Sequence, residues 1–340
     1  MPIDCALVTA LPAELDRLLF HFRHAKKVAD KGRNGQVFFE TISPSGLALV
    51  GATAMGVGQL NAAALVRDVI ELYSPKKLIL VGISGGLDRK IPLGDVVVSS
   101  QIVDYEIAKI GPNGPEIRWS VYQPDAALLN KVNAFNDDRW TQYIGTPRPG
   151  AHGSILPHMH MGLYLSGNKI IADETTAGKI KAFWQRAAAI EMEAAGIAAM
   201  LRQINDPPGF IVIKGICDYA DSKKNDKWQS YAADAAASFA YSFVAEQLTP
   251  NDLFSIHRQS DSEASDLSSL RVALQEAYDL SELRVLCFDL EVDWDEIAGH
   301  RKSEKIADLI MFLMRRHKLL DLINIVNQDR NHILDGFNLQ

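Results

Sequence analysis

Cysteine is scarce: the 340 residues hold only Cys5, Cys217 and Cys287. Odd in number, far apart and without metal-ligand spacing, they exclude a disulfide framework and a zinc cluster, and they read as buried, reduced thiols of a cytoplasmic protein. No apolar run approaches the roughly 18 residues that span a bilayer. The opening Met1-Pro2-Ile3-Asp4 lacks a basic segment and meets an acid at once, unlike a secretory signal. Positive charge is not in excess either, with 35 Lys and Arg against 42 Asp and Glu. Residues 1–250 carry 25 acidic and 25 basic side chains, and residues 251–340 carry 17 and 10, so the whole net charge of −7 falls in the last quarter. A balanced body with an acidic final segment argues against a nucleic-acid binder, which shows a basic face. It also marks two units with different surfaces.

What is present is a hydrophobic content of 47%, enough for an ordinary globular core. The first 247 residues alternate apolar runs with helical periods, the pattern of an α/β protein. Strands are expected at residues 3–8, 47–50, 77–81, 95–98 and 209–214, the third and last being continuous apolar runs of the kind buried on both faces. Helices are expected after Pro12, over Asn61–Leu72, around Lys179–Ala188, to about Leu201, and from about Trp228 to Gln247. From Ile110 to Gly162 no sustained period appears, and a stretch this long and irregular reads as a lid or binding loop. Residues 249–265 are polar and serine-rich, a linker. Beyond them Leu283, Leu286 and Leu290, then Ile306, Leu309, Ile310 and Leu313, repeat at helical spacing, as in a small bundle. The expected domains are therefore 1–248, the linker 249–265, and 266–334.

Three acids follow apolar strands, where α/β sheets place their sites: Glu14, Glu193 and Asp218. Each taken singly also reads as a helix cap. Asp218 stands out because Cys217, Tyr219 and Ala220 surround it with the apolar setting that suits a general acid.

Seven segments occur together in one order: Thr9-Ala10-Leu11-Pro12-Ala13-Glu14, Met55-Gly56-Val57-Gly58, Gly82-Ile83-Ser84-Gly85-Gly86-Leu87, Leu93 to Val98, Ser166-Gly167-Asn168, Ile190-Glu191-Met192-Glu193-Ala194, and Lys214 to Asp221. In these, residues 3–247 resemble the nucleoside phosphorylase and nucleosidase superfamily, near the methylthioadenosine/S-adenosylhomocysteine nucleosidases. The resemblance implies a three-layer α/β/α domain with a mixed central sheet, which a small all-α bundle follows. It implies that Asp218 protonates purine N7, Glu193 binds ribose hydroxyls and Glu14 activates the attacking water. Met192, Glu191, Gly56, Ser84 and Gly85 join the substrate-binding set. Phosphorylases carry arginines where this chain has Leu80-Val81 and Pro12-Ala13-Glu14; lacking that cationic clamp, the chain is expected to be a hydrolase needing no cofactor. The alternatives are a phosphorylase and a nucleotide sensor without turnover. Where nucleosidases stack an aromatic ring on the base, this chain has Ile170 and Ile171.

Residues 218–231 resemble the nucleosidase-like domains of bacterial defence and NLR-type proteins, some of which act on ATP. Lys223, Lys224 and Lys227, with Arg148, His158 and His160, are candidates to meet a 5′-phosphate chain, or else form a solvated turn. His158 and His160 have no third ligand in view, so no metal is expected. Residues 266–330 resemble effector-associated, death-like adaptor domains, through Leu283 to Leu290, Val292-Asp293-Trp294 and Arg301 to Lys305. That implies a like-with-like coupling module, the alternative being a helical cap. The expected partners are a purine nucleoside or nucleotide, a second copy of the chain, and another adaptor domain.

Overall fold

The computed structural model describes residues 3–28, 36–112, 114–135, 137–150, 156–222, 226–249, 270–271, 273–290, 292–297, 299, 301–315 and 318–329. The chain separates into two compact units, Met1–Leu253 and Phe254–Gln340. Most of the expected linker lies outside the described residues.

The first unit begins with β1 (Cys5–Thr9), fully buried, and α1 (Pro12–His21), which Pro12 opens with a φ already suited to a helix. There follow β2 (Lys26–Val28), β3 (Phe38–Ile42), β4 (Ala48–Thr53), α2 (Gln59–Tyr73), β5 (Lys77–Gly86) and β6 (Val96–Asp104). The stretch expected to be irregular holds more order than its sequence announces: β7 (Ala108–Gly111), β8 (Gly114–Ile117), β9 (Ser120–Tyr122), α3 (Ala126–Ala134) and a 3₁₀ turn, Asp138–Tyr143. These pieces are too short to show a period. α3 is fixed instead by Asp125, whose side chain accepts the Leu128 N–H, and by burying Leu128 and Val132. Next come β10 (Met159–Ser166), α4 (Glu174–Phe183), β11 (Ala187–Glu191), α5 (Ala194–Leu201), β12 (Gly209–Asp218) and α6 (Gln229–Gln247).

One sequence expectation fails here. The helix expected around Lys179–Ala188 ends at Phe183, and Ala187–Glu191 is a strand. Alanine favours helix in isolation, but this segment is claimed by β10 on one side and by β5 on the other, and burial overrides a weak propensity.

The sheet runs β11-β10-β6-β12-β5-β1-β4-β3-β2, mixed in direction. Its path also closes on itself, because Ala189 and Ile190 of β11 pair antiparallel with Gly86 and Gly85 of β5. That closure gathers the ends of β5, β11 and β12 in one place. One core packs α2 and α5 on one sheet face, through Leu65, Val66, Val69 and Ile197. The other packs α1, α3 and α6 on the opposite face, through Leu18, Val132, Phe239 and Phe243. The result is a three-layer α/β/α domain. α6 lies close because Gly215 has no side chain; a Cβ there would stand 2.7 Å from the carbonyl carbon of Ala232.

The second unit is helical over Leu280–Asp289, Lys302–Arg315 and Leu319–Asp329, around a core that includes Leu283, Leu286, Leu309 and Leu313. Asp279 starts its helix with a capping box: its Oδ1 accepts the Ser281 and Glu282 N–H groups, and Glu282 accepts the Asp279 N–H. The Lys305 ammonium lies 4.5 Å from the centroid of the Trp294 ring and donates to the Trp294 carbonyl. None of the three cysteines is in a disulfide, and burial pushes the Cys5 thiol up to about 12 and Cys287 up to about 11. Among the described residues no helix is long and apolar enough to cross a membrane.

Candidate active site

A cleft of about 210 Å³ opens where β5, β11 and β12 end and α1 begins. Glu14 enters it from the first turn of α1. Its Oε2 accepts the Ala10 and Leu11 N–H groups, each at 2.9 Å, and Oε1 accepts that of Ile83 at 2.9 Å. The carboxylate thus ties α1 to β5, and it can do so only because residue 82 is glycine, where a Cβ would stand 2.6 Å from Glu14 Cδ. Burial pushes the Glu14 carboxyl up, opposed by the charge of Lys214 and by the Leu11 and Ile83 N–H groups.

Lys214, on β12, is 1% exposed. A charge so buried needs partners, and its Nζ lies 2.6 Å from Glu193 Oε2 and 3.0 Å from Glu191 Oε2. Burial works against the ammonium, yet Glu193, Glu191 and Glu14 together raise its pKa. Burial also works against ionised Glu193, but Lys214, joined by the Gly58 N–H at 3.1 Å, holds that carboxyl below its usual range. Glu191 is left with burial uppermost and is pushed up; its oxygens accept the Glu193 and Ala194 N–H groups that open α5. The three carboxyls therefore shift in different directions, burial prevailing at Glu14 and Glu191 and the Lys214 charge with its hydrogen bonds prevailing at Glu193.

Asp218 closes β12, 5% exposed. Its Oδ1 accepts the N–H of Ala220 at 2.8 Å and its Oδ2 the thiol of Cys217 at 3.2 Å. Ala220 sits at φ 55°, a left-handed conformation that costs an alanine about 1–2 kcal/mol, so the turn beside Asp218 is strained.

Four buried acids, Glu14, Glu191, Glu193 and Asp218, thus gather at converging strand ends on a three-layer sheet. Residues 4–245 match the Phosphorylase superfamily. The chain belongs to it. Residues 270–331 match Effector-associated domain 7. The chain is 29% identical over 254 residues to "ATP nucleosidase Cap17" of Escherichia coli (strain KTE188), covering 68% of this chain and 49% of that protein. It is 28% identical over 195 residues to "5'-methylthioadenosine/S-adenosylhomocysteine nucleosidase" of Staphylococcus epidermidis, covering 55% of this chain and 75% of that protein. The chain thus spans about half the length of the first relative. The crystal structure of the nucleosidase of that second type from Neisseria meningitidis, in complex with methylthio-immucillin-A, shares the fold with a TM-score of 0.57 at 23% identity, over 71% of this chain and 98% of the other.

Of the residues singled out from the sequence, this superfamily cleft brings together Glu14, Glu191, Met192, Glu193, Asp218, Ser84, Gly85, Ile170 and Ile171. Gly56 lies outside the lining, next to Val57, which is in it. Arg148 also lies outside, donating to the Leu93 carbonyl with its guanidinium over the Trp228 and Tyr231 rings. His160 is paired with Asp95 at 2.7 Å. His158 and Lys227 are exposed and line no part of the cleft. Lys223 and Lys224 lie outside the described residues. Among the described residues no group of three or more His, Cys, Asp or Glu is placed to hold a metal ion.

Sequence reasoning passed over Lys214, Leu11 and Gln229. Lys214 had a signal: a cation at the end of Phe210-Ile211-Val212-Ile213 cannot be buried without an acid facing it.

Proposed function

We propose that the first unit is an N-glycosyl hydrolase that releases adenine from a nucleoside or nucleotide, ATP included, leaving the sugar or ribose 5′-triphosphate. The observation that carries this reading is the convergence of Glu14, Glu193 and Asp218 in one cleft, with no arginine in the first loop or ahead of the Gly82 turn to clamp a phosphate nucleophile. The names of the two relatives agree with it.

Asp218 donates a proton to purine N7 as the bond from C1′ to N9 breaks, and the bonding electrons leave with the neutral base. The sugar left behind has oxocarbenium character, which nearby carboxylates stabilise. Water forms the new bond to C1′ and gives its proton to Glu14, a base strengthened by its raised pKa. Glu193, fixed by Lys214 and Gly58, receives the ribose hydroxyls, with Met192 against the sugar. Ile170 and Ile171 wall the base. Acid and base assistance are each worth about 10²–10⁴-fold.

The enzyme occupies residues 1–248 and works as a homodimer in the cytoplasm. Met55 and Leu60, both strongly exposed on either side of Val57, supply apolar surface that a second copy covers, and three reduced cysteines fit that compartment. Residues 266–334 couple it to a partner carrying a similar domain, as an effector in bacterial defence; their acid excess complements a basic patch there.

The test is incubation of the full chain with adenosine, AMP, ATP, methylthioadenosine and guanosine nucleotides, following free base by chromatography without phosphate. Adenine release is expected. Release only when phosphate is added would make the enzyme a phosphorylase.

A further inference from the structure

Past Leu11, Glu14, Ile83 and Gln229 lies a second compartment, of about 240 Å³, whose remaining lining includes Arg17, Phe20 and Ser230. The first four residues line both spaces, so the cleft and the compartment share a wall. Asp218, Glu191, Met192 and Glu193 line only the cleft. A nucleotide with its base at Asp218 and its ribose at Glu193 then has its 5′ substituent left to pass Leu11 and Gln229.

Arg17 is half-buried on α1 and makes no ion pair or hydrogen bond among the described residues. Three arginines elsewhere in the first unit are committed: Arg89 to Asp221, Arg139 to Asp137 and Glu246, Arg148 to the Leu93 carbonyl. The acids nearby do not satisfy it. Glu14 has both oxygens taken by backbone N–H groups, and Asp16 is exposed. A guanidinium offers a planar fork that fits phosphate oxygens bidentately.

We infer that this compartment binds the 5′-phosphate chain of a nucleotide substrate, with Arg17 as the cation that sets preference for nucleotide over nucleoside. The inference rests on the adenine-releasing activity proposed above and deepens it. It moves the phosphate chain away from the exposed Lys227, which lines neither space.

Titration calorimetry of the full chain, carrying Asp218→Asn so that substrate persists, compares ATP, AMP, adenosine and inorganic phosphate. ATP is expected to bind more tightly than adenosine, and Arg17→Gln to cut the ATP-over-adenosine ratio by about 10–100-fold, the worth of a charged hydrogen-bonded pair. Arg17→Lys restores part of the ratio, and Lys227→Ala leaves it in place. Equal weakening of both ligands by Arg17→Gln would overturn the inference, as would a ratio near one in the parent. If inorganic phosphate binds together with adenosine in an Arg17-dependent way, the compartment takes free phosphate and the nucleotide assignment falls. Wild-type chain that releases adenine but shows no nucleotide preference sinks this inference alone. An Arg17-dependent preference without any base release sinks the hydrolase reading instead.

Discussion

Two interiors of this chain are built on opposite rules. Around the cleft where β5, β11 and β12 end, Glu14, Glu191, Glu193, Asp218 and, behind its lining, Lys214 are buried, five ionisable groups held by backbone N–H groups and by one another. The interior of the second unit is made of Leu270, Leu274, Leu283, Leu286, Ile306, Leu309 and their neighbours, with no Asp, Glu, Lys, Arg or His among its described buried members. Apolar burial is the inexpensive way to stabilise a fold, whereas burying charge costs free energy that pairing only partly returns. The cleft thus holds its charged groups at a cost in stability that the apolar interior of the bundle does not bear.

The sharpest way to break that contrast is to remove the acid proposed to meet the base. Asp218→Asn is expected to lower adenine release about 10²–10⁴-fold, or about 3–5 kcal/mol of barrier, while nucleotide binding persists in calorimetry. Unchanged turnover would remove Asp218 from the reaction.

Next come two substitutions of similar cost but opposite kind. Lys214→Met leaves Glu193 and Glu191 buried without their cation and is expected to destabilise the first unit by about 3–5 kcal/mol in urea unfolding. Because Lys214 holds the Glu193 carboxyl down, its contribution is present above about pH 4.5 and is lost as pH falls through the lower folded value; the variant should lose that part of the pH dependence. Leu309→Ala is expected to cost the second unit about 2–5 kcal/mol through a cavity, with base release per molecule of folded first unit unchanged. A Lys214→Met chain as stable as the parent would mean that the cleft tolerates its carboxylates unpaired.

How much of this was legible in the sequence follows the range of the forces involved. α2 and α6 announced themselves because Leu65, Val69 and the alanine run repeat at helical spacing, and β5 and β12 because they are continuous apolar runs. The acids were legible through their place after strands and through the resemblance of whole segments. Ala187 and Ala188 were misread as the end of a helix because the strand they open is imposed by pairing with β10 and β5, far away in sequence. The cleft's second compartment left no local trace either. Arg17 and Ser230 come to line one compartment because α1 and α6 pack on the same face of the sheet.

A subtler effect concerns pH. The role proposed for Glu14 requires an ionised carboxylate, and burial pushes its carboxyl above the ordinary 4.5. The value of kcat/KM for adenosine, measured from about pH 4 to 9, is therefore expected to fall on the acid side through a midpoint above 4.5. A midpoint at or below that value would show that the Ala10, Leu11 and Ile83 N–H groups and Lys214 outweigh burial, and that Glu14 is not the base that limits the reaction.

The smallest effect is expected where the second unit departs from its own rule. Val285 and Phe288 stand three residues apart on the helix Leu280–Asp289, exposed by 60% and 81%. Neither contributes to the buried core, so Val285→Ser and Phe288→Ser should each change unfolding free energy by no more than about 0.5 kcal/mol and leave base release untouched. What they should weaken is association with a partner domain, read by sedimentation of the full chain with that domain, because two exposed apolar side chains three residues apart on one helix offer surface that such a partner would cover. A stability loss above about 1 kcal/mol would place Phe288 in the fold's own packing, and the bundle would then spend all of its apolar residues on stability and keep none for recognition.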